Sequence, residues 1–330
     1  MAVPPQYFDL ITTGRTGVDL YPLETGVPLA RVETFGKFPG GSAANVAGAT
    51  ARTGRSAAVV TRTGEDPFDA FPHGAPKDFG VDDRRVAPVP ARPTPLTCCG
   101  IFPQHDFPPY SSRRPKAPDL EIRADEPDPT AVRAAGTSWT TGTGTSEEPG
   151  RSAALAAPEA HGRRTTTVLA PDRRPVFRRD PGQARPYHRE ALRHAAVAVG
   201  DLDACEAATG GRGPGARAEA PPAAGAEPAV AAQGPKGVLA VHRDGTRAEA
   251  PPAPVEVVHG LGAGDAFGGS PRHGPLSGRD LEPAMRHADA AGAVVASRPA
   301  CSSATPTEPE VADLLARAAS PDAAGLPSQS

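Results

Sequence analysis

The chain has 330 residues and a net charge of −3. That length suits one large α/β domain or two small ones, and the charge offers nothing to nucleic acid or an anionic membrane surface. No apolar run approaches the ~18 residues of a membrane span, and the N-terminus lacks a basic start followed by an apolar core. The sequence therefore reads as cytoplasmic, with its four cysteines reduced and none in a CxxC pair. Leu, Ile, Val and Phe are sparse while proline reaches 41 residues, a composition that limits core-forming capacity.

Phe8 to Thr12 predicts a short buried strand. Ser42 predicts the cap of a helix over Ala43 to Thr53, stopped by Gly54, with a strand from Ser56 to Arg62 after it. Asp66-Pro67 predicts the start of a further helix. Strand, helix and strand in this rhythm imply a parallel, doubly wound sheet. From Val86 to Pro118 short apolar and polar stretches alternate. They are broken by Pro88, Pro90, Pro93, Pro95, Pro103, Pro108 and Pro109, and proline restricts strands to edges and bulges.

Residues 119–235 carry weaker signals. Thr165 to Leu169 and Ala195 to Val199 predict strands, and Gly210 to Pro228 reads as a linker for want of an apolar stripe. Val238 to His242 and Thr246 to Ala250 flank Asp244-Gly245, a two-residue hairpin turn. Val255 to Val258 predicts one more strand. A helix is expected from Ala263 to about residue 275 although Pro271 falls in it, and another from Leu281 to Ser297. There is no internal repeat.

Two glycine-bearing segments carry the functional signal. The first is Gly40-Gly41-Ser42-Ala43-Ala44-Asn45-Val46-Ala47, and the second is Gly260-Leu261-Gly262-Ala263-Gly264-Asp265-Ala266-Phe267-Gly268-Gly269. Glycines that open a helix put free backbone N–H groups where an anion can sit. Asp265, inside the second turn, is the carboxylate that phosphoryl transfer requires as a base; a carboxylate there also favours the helix start electrostatically.

In this order and spacing the two segments resemble the PfkB (ribokinase-like) family of carbohydrate kinases. The stretches from Asp9 to Pro22, Phe35-Gly36-Lys37-Phe38, Arg113 to Asp119 and Ala300-Cys301-Ser302-Ser303-Ala304 are similar to its sugar-acid kinase branch of myo-inositol breakdown. The resemblance implies one ribokinase-like three-layer α/β/α domain over residues 1–330, with a mostly parallel sheet. It also implies a small β-lid from roughly residues 15–38 and 94–116, and a disordered tail over 316–330.

The activity implied is ATP-dependent phosphorylation of a primary hydroxyl, with 5-dehydro-2-deoxy-D-gluconate giving its 6-phosphate. Two alternatives stay open. One is another sugar kinase of the family, for 2-keto-3-deoxygluconate or fructose. The other is a degenerate relative that binds sugar or nucleotide without turnover. The cofactors implied are ATP and Mg2+, with K+ used by members of the family. The partners implied are a small sugar acid and ATP, with no nucleic acid and no membrane, and a homodimer formed through the lid is compatible with the resemblance.

Residue by residue, the resemblance implies Asp265 as base, with the amides of Gly262, Ala263 and Gly264 around the transferring phosphoryl group. Asp19, Gly40, Gly41 and Asn45 match sugar-binding positions. Lys37 and Arg113, with Lys116, are candidates for the substrate carboxylate. Gly234 and Gly237 match nucleotide-side glycines, and Asp172 and Arg174 an acidic-x-Arg pattern near the active site. Asp201 and Glu206, with Asp203, are the candidates near Mg2+. Ala204 stands where the family has Glu, and Ala170 and Ala232 where it has an acidic and a basic residue.

Overall fold

The structure is a computed structural model and describes residues 7–102, 109–111, 115–162, 166–171, 181–210, 214–270 and 281–319. The first third contains β1 (Leu10–Thr13), β2 (Gly17–Pro22), β3 (Phe35–Gly40), α1 (Ser42–Arg52), β4 (Ala57–Thr63), α2 (Ala70–Asp78), β5 (Val86–Pro88), β6 (Leu96–Cys99) and β7 (Pro109–Ser111). The middle contains α3 (Pro129–Ala134), β8 (Thr137–Thr141), α4 (Gly150–His161), β9 (Thr166–Ala170), α5 (Arg185–His194), β10 (Val197–Asp201), α6 (Leu202–Thr209) and α7 (Pro214–Ala224). The last part contains β11 (Ala229–Ala232), β12 (Val238–Val241), β13 (Arg247–Ala250), α8 (Ala263–Gly268), α9 (Leu281–Ala296) and α10 (Glu308–Ala318).

Nine strands form one sheet in the order β13-β12-β11-β10-β9-β8-β1-β4-β5. All neighbours from β11 to β5 run parallel; β12 and β13 are antiparallel additions at one edge. Successive side chains on a strand point to opposite faces, and here both faces are apolar. Ala57 and Val59 of β4 join the cluster that holds Val46 of α1, Phe267 of α8 and Met285 of α9. Ala58 and Val60 join the opposite cluster with Val132 of α3 and Ala153 of α4. Leu169 and Ala198 likewise pack against Ala191 and Leu192 of α5 and Ala208 of α6. Helices thus cover both faces, the three-layer arrangement expected of a parallel sheet. Among the described residues no helix is long and apolar enough to cross a membrane.

Four strands form a second, small sheet in the order β3-β2-β6-β7. The prolines do not prevent its pairing. Pro109 opens the edge strand β7, and Pro95 precedes β6 and accepts the Val18 N–H through its carbonyl at 2.9 Å. Register sets the faces. Asp19 lies opposite Phe38 and Thr97, and Tyr21 opposite Gly36, so these side chains share one face. Leu20 lies opposite Lys37 and Cys98, which puts Lys37 on the other face.

Several local expectations are corrected. Ser42 does not cap α1; Gly41 holds the N-cap position, and the Ser42 hydroxyl is used elsewhere. Asp66 does not start a helix. Its carboxylate accepts from the N–H groups of Phe68 and Thr94 at 2.9 and 2.6 Å, and α2 begins at Ala70. The presumed linker contains helix α7, with Pro221 and Pro222 inside its C-terminal part. Residues 255–258 form no strand. The helix beginning at Ala263 ends at Gly268, and Pro271 lies outside the described residues. α10 extends through Ala318, into the stretch expected to be a tail.

α8 is squeezed from three sides by glycine. A Cβ on Gly268 would run into the Trp139 ring of β8, and one on Gly269 into the Ala49 side chain and, at 2.7 Å, the Val46 carbonyl of α1. Gly292 of α9 gives the Ala263 carbonyl the same room. Thr50 seals the α1 contact by donating its hydroxyl to the Gly269 carbonyl at 2.9 Å. Beyond it, the Ser270 hydroxyl meets His287 Nδ1 at 2.7 Å, and His287 Nε2 meets both Glu308 carboxylate oxygens at 3.0 Å. Gly269→Ala adds one methyl where α1 has no room. It is expected to destabilise the fold by about 1–3 kcal/mol in a denaturant titration, as overpacking does.

Candidate active site

The α1–α8 contact brings two distant segments onto one carboxylate. Asp265 stands in the first turn of α8. Its Oδ1 accepts the Ser42 hydroxyl at 2.6 Å, and its Oδ2 accepts the Asn45 amide N–H at 2.9 Å. Ser42 and Asn45 sit one turn apart on α1, so a single helix face presents both donors. Asn45 is 4% exposed, and its Oδ1 has no partner among the described residues.

The turn ahead of Asp265 requires glycine. Gly262 has φ of 79°, in the left-handed region, and a Cβ there would collide with the Cys301 sulfur. By contrast, nothing lies within 4 Å of a Cβ placed on Gly264. The N–H groups of a helix's first turn have no intrahelical acceptor; here that of Ala263 turns back to the Gly260 carbonyl at 3.4 Å. His259, fully buried, accepts the Leu261 N–H on Nδ1 at 3.1 Å and so fixes the lead into this turn. Burial lowers its pKa, favouring the neutral ring.

The small sheet supplies a second carboxylate. A Cβ on Gly40 would run into Asp19, so β3 lets that carboxylate lie across its backbone. Gly41, with φ of 96°, likewise has the Arg15 carbonyl where a side chain would be. The Tyr21 hydroxyl donates to Asp19 Oδ2 at 3.0 Å. Tyr21, Phe38, Cys99, Ile101, Leu261 and Cys301 form the apolar cluster joining this sheet to the body. The Ser302 hydroxyl adds a tie to the Pro39 carbonyl at 2.9 Å.

The structure does not bring every candidate here. Lys37, on the opposite face of the sheet from Asp19, places its ammonium 4.2 Å from the centre of the Phe71 ring. Lys116 donates to the Glu148 carbonyl at 2.5 Å and pairs with Glu121 at 3.4 Å. Asp201 caps α6, its Oδ1 accepting the Ala204 N–H at 2.6 Å, and Glu206 lies further along that helix. Among the described residues no three or more His, Cys, Asp or Glu gather to hold a metal. Gly237, with φ of 81°, admits the Ala250 carbonyl beside the β11–β12 connection, while a Cβ on Gly234 would meet open space. Asp201 pairs with Ala232, so this connection and α6 start at the same carboxyl edge of the sheet. Arg113, Asp172 and Arg174 lie outside the described residues.

Sequence reasoning assigned no site role to Ser42, Tyr21 or Cys301. Each lies within a quoted segment, but Ser42 and Cys301 meet partners far along the chain, Asp265 and Asn45, while Tyr21 meets Asp19 two residues back on the same strand.

The sequence pattern of the pfkB family carbohydrate kinases matches residues 8–105 and 143–308. The 5-dehydro-2-deoxygluconokinase of Photobacterium profundum is 30% identical over 315 residues, covering 93% of this chain and 94% of that one. The protein of that name from Bacillus subtilis is 25% identical over 313 residues, covering 93% and 96%. Among solved structures, an Escherichia coli protein described as a ribokinase II in complex with ATP and Mg2+ superposes with a TM-score of 0.82 at 18% identity, covering 94% of this chain and 99% of that one. A Vibrio cholerae fructokinase bound to fructose, ADP and calcium gives 0.81 at 21%, covering 93% and 99%.

The thiols differ in environment. Burial first, and then the Asp19 and Asp265 carboxylates, push the Cys301 pKa well above its ordinary value. Burial, helped by Asp201, pushes Cys205 up to about 12. Cys99 is buried and Cys98 half-buried. At pH 8 a disulfide reagent is expected to titrate Cys98 in the native protein and the other three only after unfolding. Rapid native labelling of Cys301 would contradict this environment.

Proposed function

The chain belongs to the pfkB family of carbohydrate kinases, and on that premise we propose that it transfers the γ-phosphate of ATP to the primary hydroxyl of 5-dehydro-2-deoxy-D-gluconate, giving the 6-phosphate. The enzyme class follows from the family: it is a phosphotransferase acting on a sugar. The particular sugar acid is supported by relatives of that name that align over nearly the whole chain. The observation that carries the chemistry is Asp265, held by Ser42 and Asn45 beside the open first turn of α8.

Asp265 takes the proton of the substrate hydroxyl as that oxygen attacks phosphorus and ADP departs. With both oxygens already engaged, the carboxylate is fixed in orientation before the substrate arrives, which removes a reorganisation step. Asn45 Oδ1, buried and without a donor among the described residues, suits a sugar hydroxyl, and Asp19 across Gly40 offers a second acceptor. The amides of Gly262, Ala263 and Gly264 donate toward the phosphoryl group as its charge spreads. The room beside Gly264 fits a phosphate there. A divalent cation would accompany the triphosphate, held mainly by phosphate oxygens and water, since among the described residues no three His, Cys, Asp or Glu gather to bind one; Asp201 and Glu206 on α6 are the acids we assign to it. Its chemistry is charge neutralisation on the phosphates.

A second reading, binding without turnover, is favoured by one observation. Ala204 is buried where the family has Glu, and Asp201 already caps its own helix. ADP release over a panel of sugar acids and neutral sugars tests both readings. The wild type is expected to turn over the named acid, and Asp265→Asn to lose about 10²–10⁴-fold in kcat with ATP affinity retained. Undiminished turnover by Asp265→Asn would remove the base assignment. Thermal stabilisation by ligands without product would establish the binder.

We further propose that two copies associate through the lid. Phe35, Leu96 and Tyr110 are 39%, 38% and 58% exposed on the face away from Asp19, a larger apolar display than its strands need for themselves. Light scattering is expected to give a dimer mass for the wild type and a monomer mass for Leu96→Asp.

A further inference from the structure

The chain passes from the main sheet to the small one through Gly14, Arg15 and Thr16, between β1 and β2. It returns through Gly41, between β3 and α1. The two crossings lie against each other. A Cβ on Gly41 would run into the Arg15 carbonyl and would lie 2.7 Å from Thr16 Cα. A Cβ on Gly14 would lie 3.0 Å from the Ala43 side chain. The Arg15 carbonyl also accepts the Ala44 N–H at 3.4 Å, and the Thr12 hydroxyl donates to the Ala43 carbonyl at 3.0 Å. The first turn of α1, which opens with Ser42, therefore rests on the β1–β2 crossing.

Arg15 anchors that crossing to a third part of the chain. Its Nε donates to Asp119 Oδ1 at 2.8 Å and its Nη2 to Asp119 Oδ2 at 3.2 Å. The two side chains are 14% and 1% exposed, so salt screens this pair less than one on the surface. Asp119 sits in a single helical turn, Pro118–Glu121. That turn is itself held. A Cβ on Gly150 of α4 would lie 2.8 Å from Leu120 Cα, Leu120 is buried, and Glu121 pairs with Arg92 at 2.7 Å. A two-pronged guanidinium–carboxylate contact fixes orientation as well as distance, which an ammonium cannot do. The Arg15 side chain is thus rigidly placed, and the peptide that carries it backs the N-cap of α1.

We propose that Arg15, locked by Asp119, is a positioning residue that holds the first turn of α1 where the Ser42 hydroxyl meets Asp265. The inference rests on the reading of Asp265 as the base given above. Its role requires no contact with the reacting atoms. Ser42 Oγ reaches Asp265 Oδ1 at 2.6 Å, a hydrogen bond that a displacement of about 1 Å would carry out of range. A second two-pronged pair offers a comparison. Arg62 meets Glu126 at 3.0 and 2.5 Å, but Arg62 belongs to β4 and not to the crossing.

The test combines steady-state kinetics, thermal melts and amide hydrogen exchange on the full chain. Asp119→Asn and Arg15→Lys are expected to lower kcat about tenfold, because a small misplacement at a reacting centre is costly. KM for ATP should stay within about twofold of wild type. Exchange of the amides in the first turn of α1 should quicken in both variants. Glu126→Gln, which cuts the comparison pair, is expected to leave kcat and that exchange unchanged. Arg15→Met/Asp119→Leu removes both charges together and leaves neither buried alone, so it should melt closer to wild type yet keep the loss in kcat. Once Ser42→Ala has been made, Asp119→Asn should add little, because the hydroxyl it aligns is gone. Unchanged kcat in both Asp119→Asn and Arg15→Lys would overturn the proposal. So would a kcat that recovers with the melting temperature in Arg15→Met/Asp119→Leu, or losses strictly additive with Ser42→Ala. Asp265→Asn separates the two ideas. Retained turnover there removes the base reading, whereas exchange in α1 still reports whether the pair fixes that turn, and unchanged exchange in Asp119→Asn overturns the proposal even without turnover.

Discussion

The close approach of α1 and α8 is the constraint on which the rest of the molecule depends. A base must be placed to within a fraction of an ångström of the proton it removes. For Asp265, the proposed base, the placement is set largely by backbone packing rather than by flexible side chains. Gly269 lets α8 lie against Ala49 and the Val46 carbonyl, and Gly268 lets it lie against Trp139. Once the helices are in contact, Ser42 and Asn45 reach Asp265 from more than two hundred residues away. The two hydrogen bonds use different oxygens, so they fix the carboxylate's rotation as well as its position.

The small sheet obeys an equally simple rule, the two-residue alternation of a strand. Asp19 and Tyr21 share the face that meets Cys301 and Leu261, while Lys37 is turned to the far side and settles on Phe71. One sheet therefore presents two different faces. Its inner face carries Asp19 and Tyr21, and its outer face carries Lys37 with the exposed Phe35 and Leu96. A charge on β3 contributes to the first only if it occurs at the correct parity.

Much of this was legible in the sequence where spacing is local. The strand-helix-strand start and the glycine turn ahead of Asp265 emerge as read, and the hairpin at Asp244-Gly245 emerges with a loop of three residues, Arg243 to Gly245, in place of two. The central strand β8 was missed because Thr137–Thr141 is threonine, serine and tryptophan rather than an aliphatic run. β-branched threonine suits a strand, yet its hydroxyl hides the apolar signal. The low content of large aliphatic residues was read as a weak core. The core is instead built extensively from alanine, from Ala43 and Ala47 on α1 to Ala288 and Ala291 on α9, which lets helices lie close to the sheet. Ser42 looked like a cap because a serine before a helix usually is one. Nothing local reveals that its hydroxyl is claimed from residue 265. The helix in the presumed linker lacks a readable stripe because prolines and alanines occupy it.

The chain from Ser270 through His287 to Glu308 ties α10 to the segment that follows α8. Glu308 opens α10, and Ser270 lies two residues beyond the end of α8, so a single imidazole links the two helices. α10 is therefore an anchor rather than an appendage. Displacing it would leave a buried ring without its anionic counterpart and loosen the far end of the helix that aims the carboxylate.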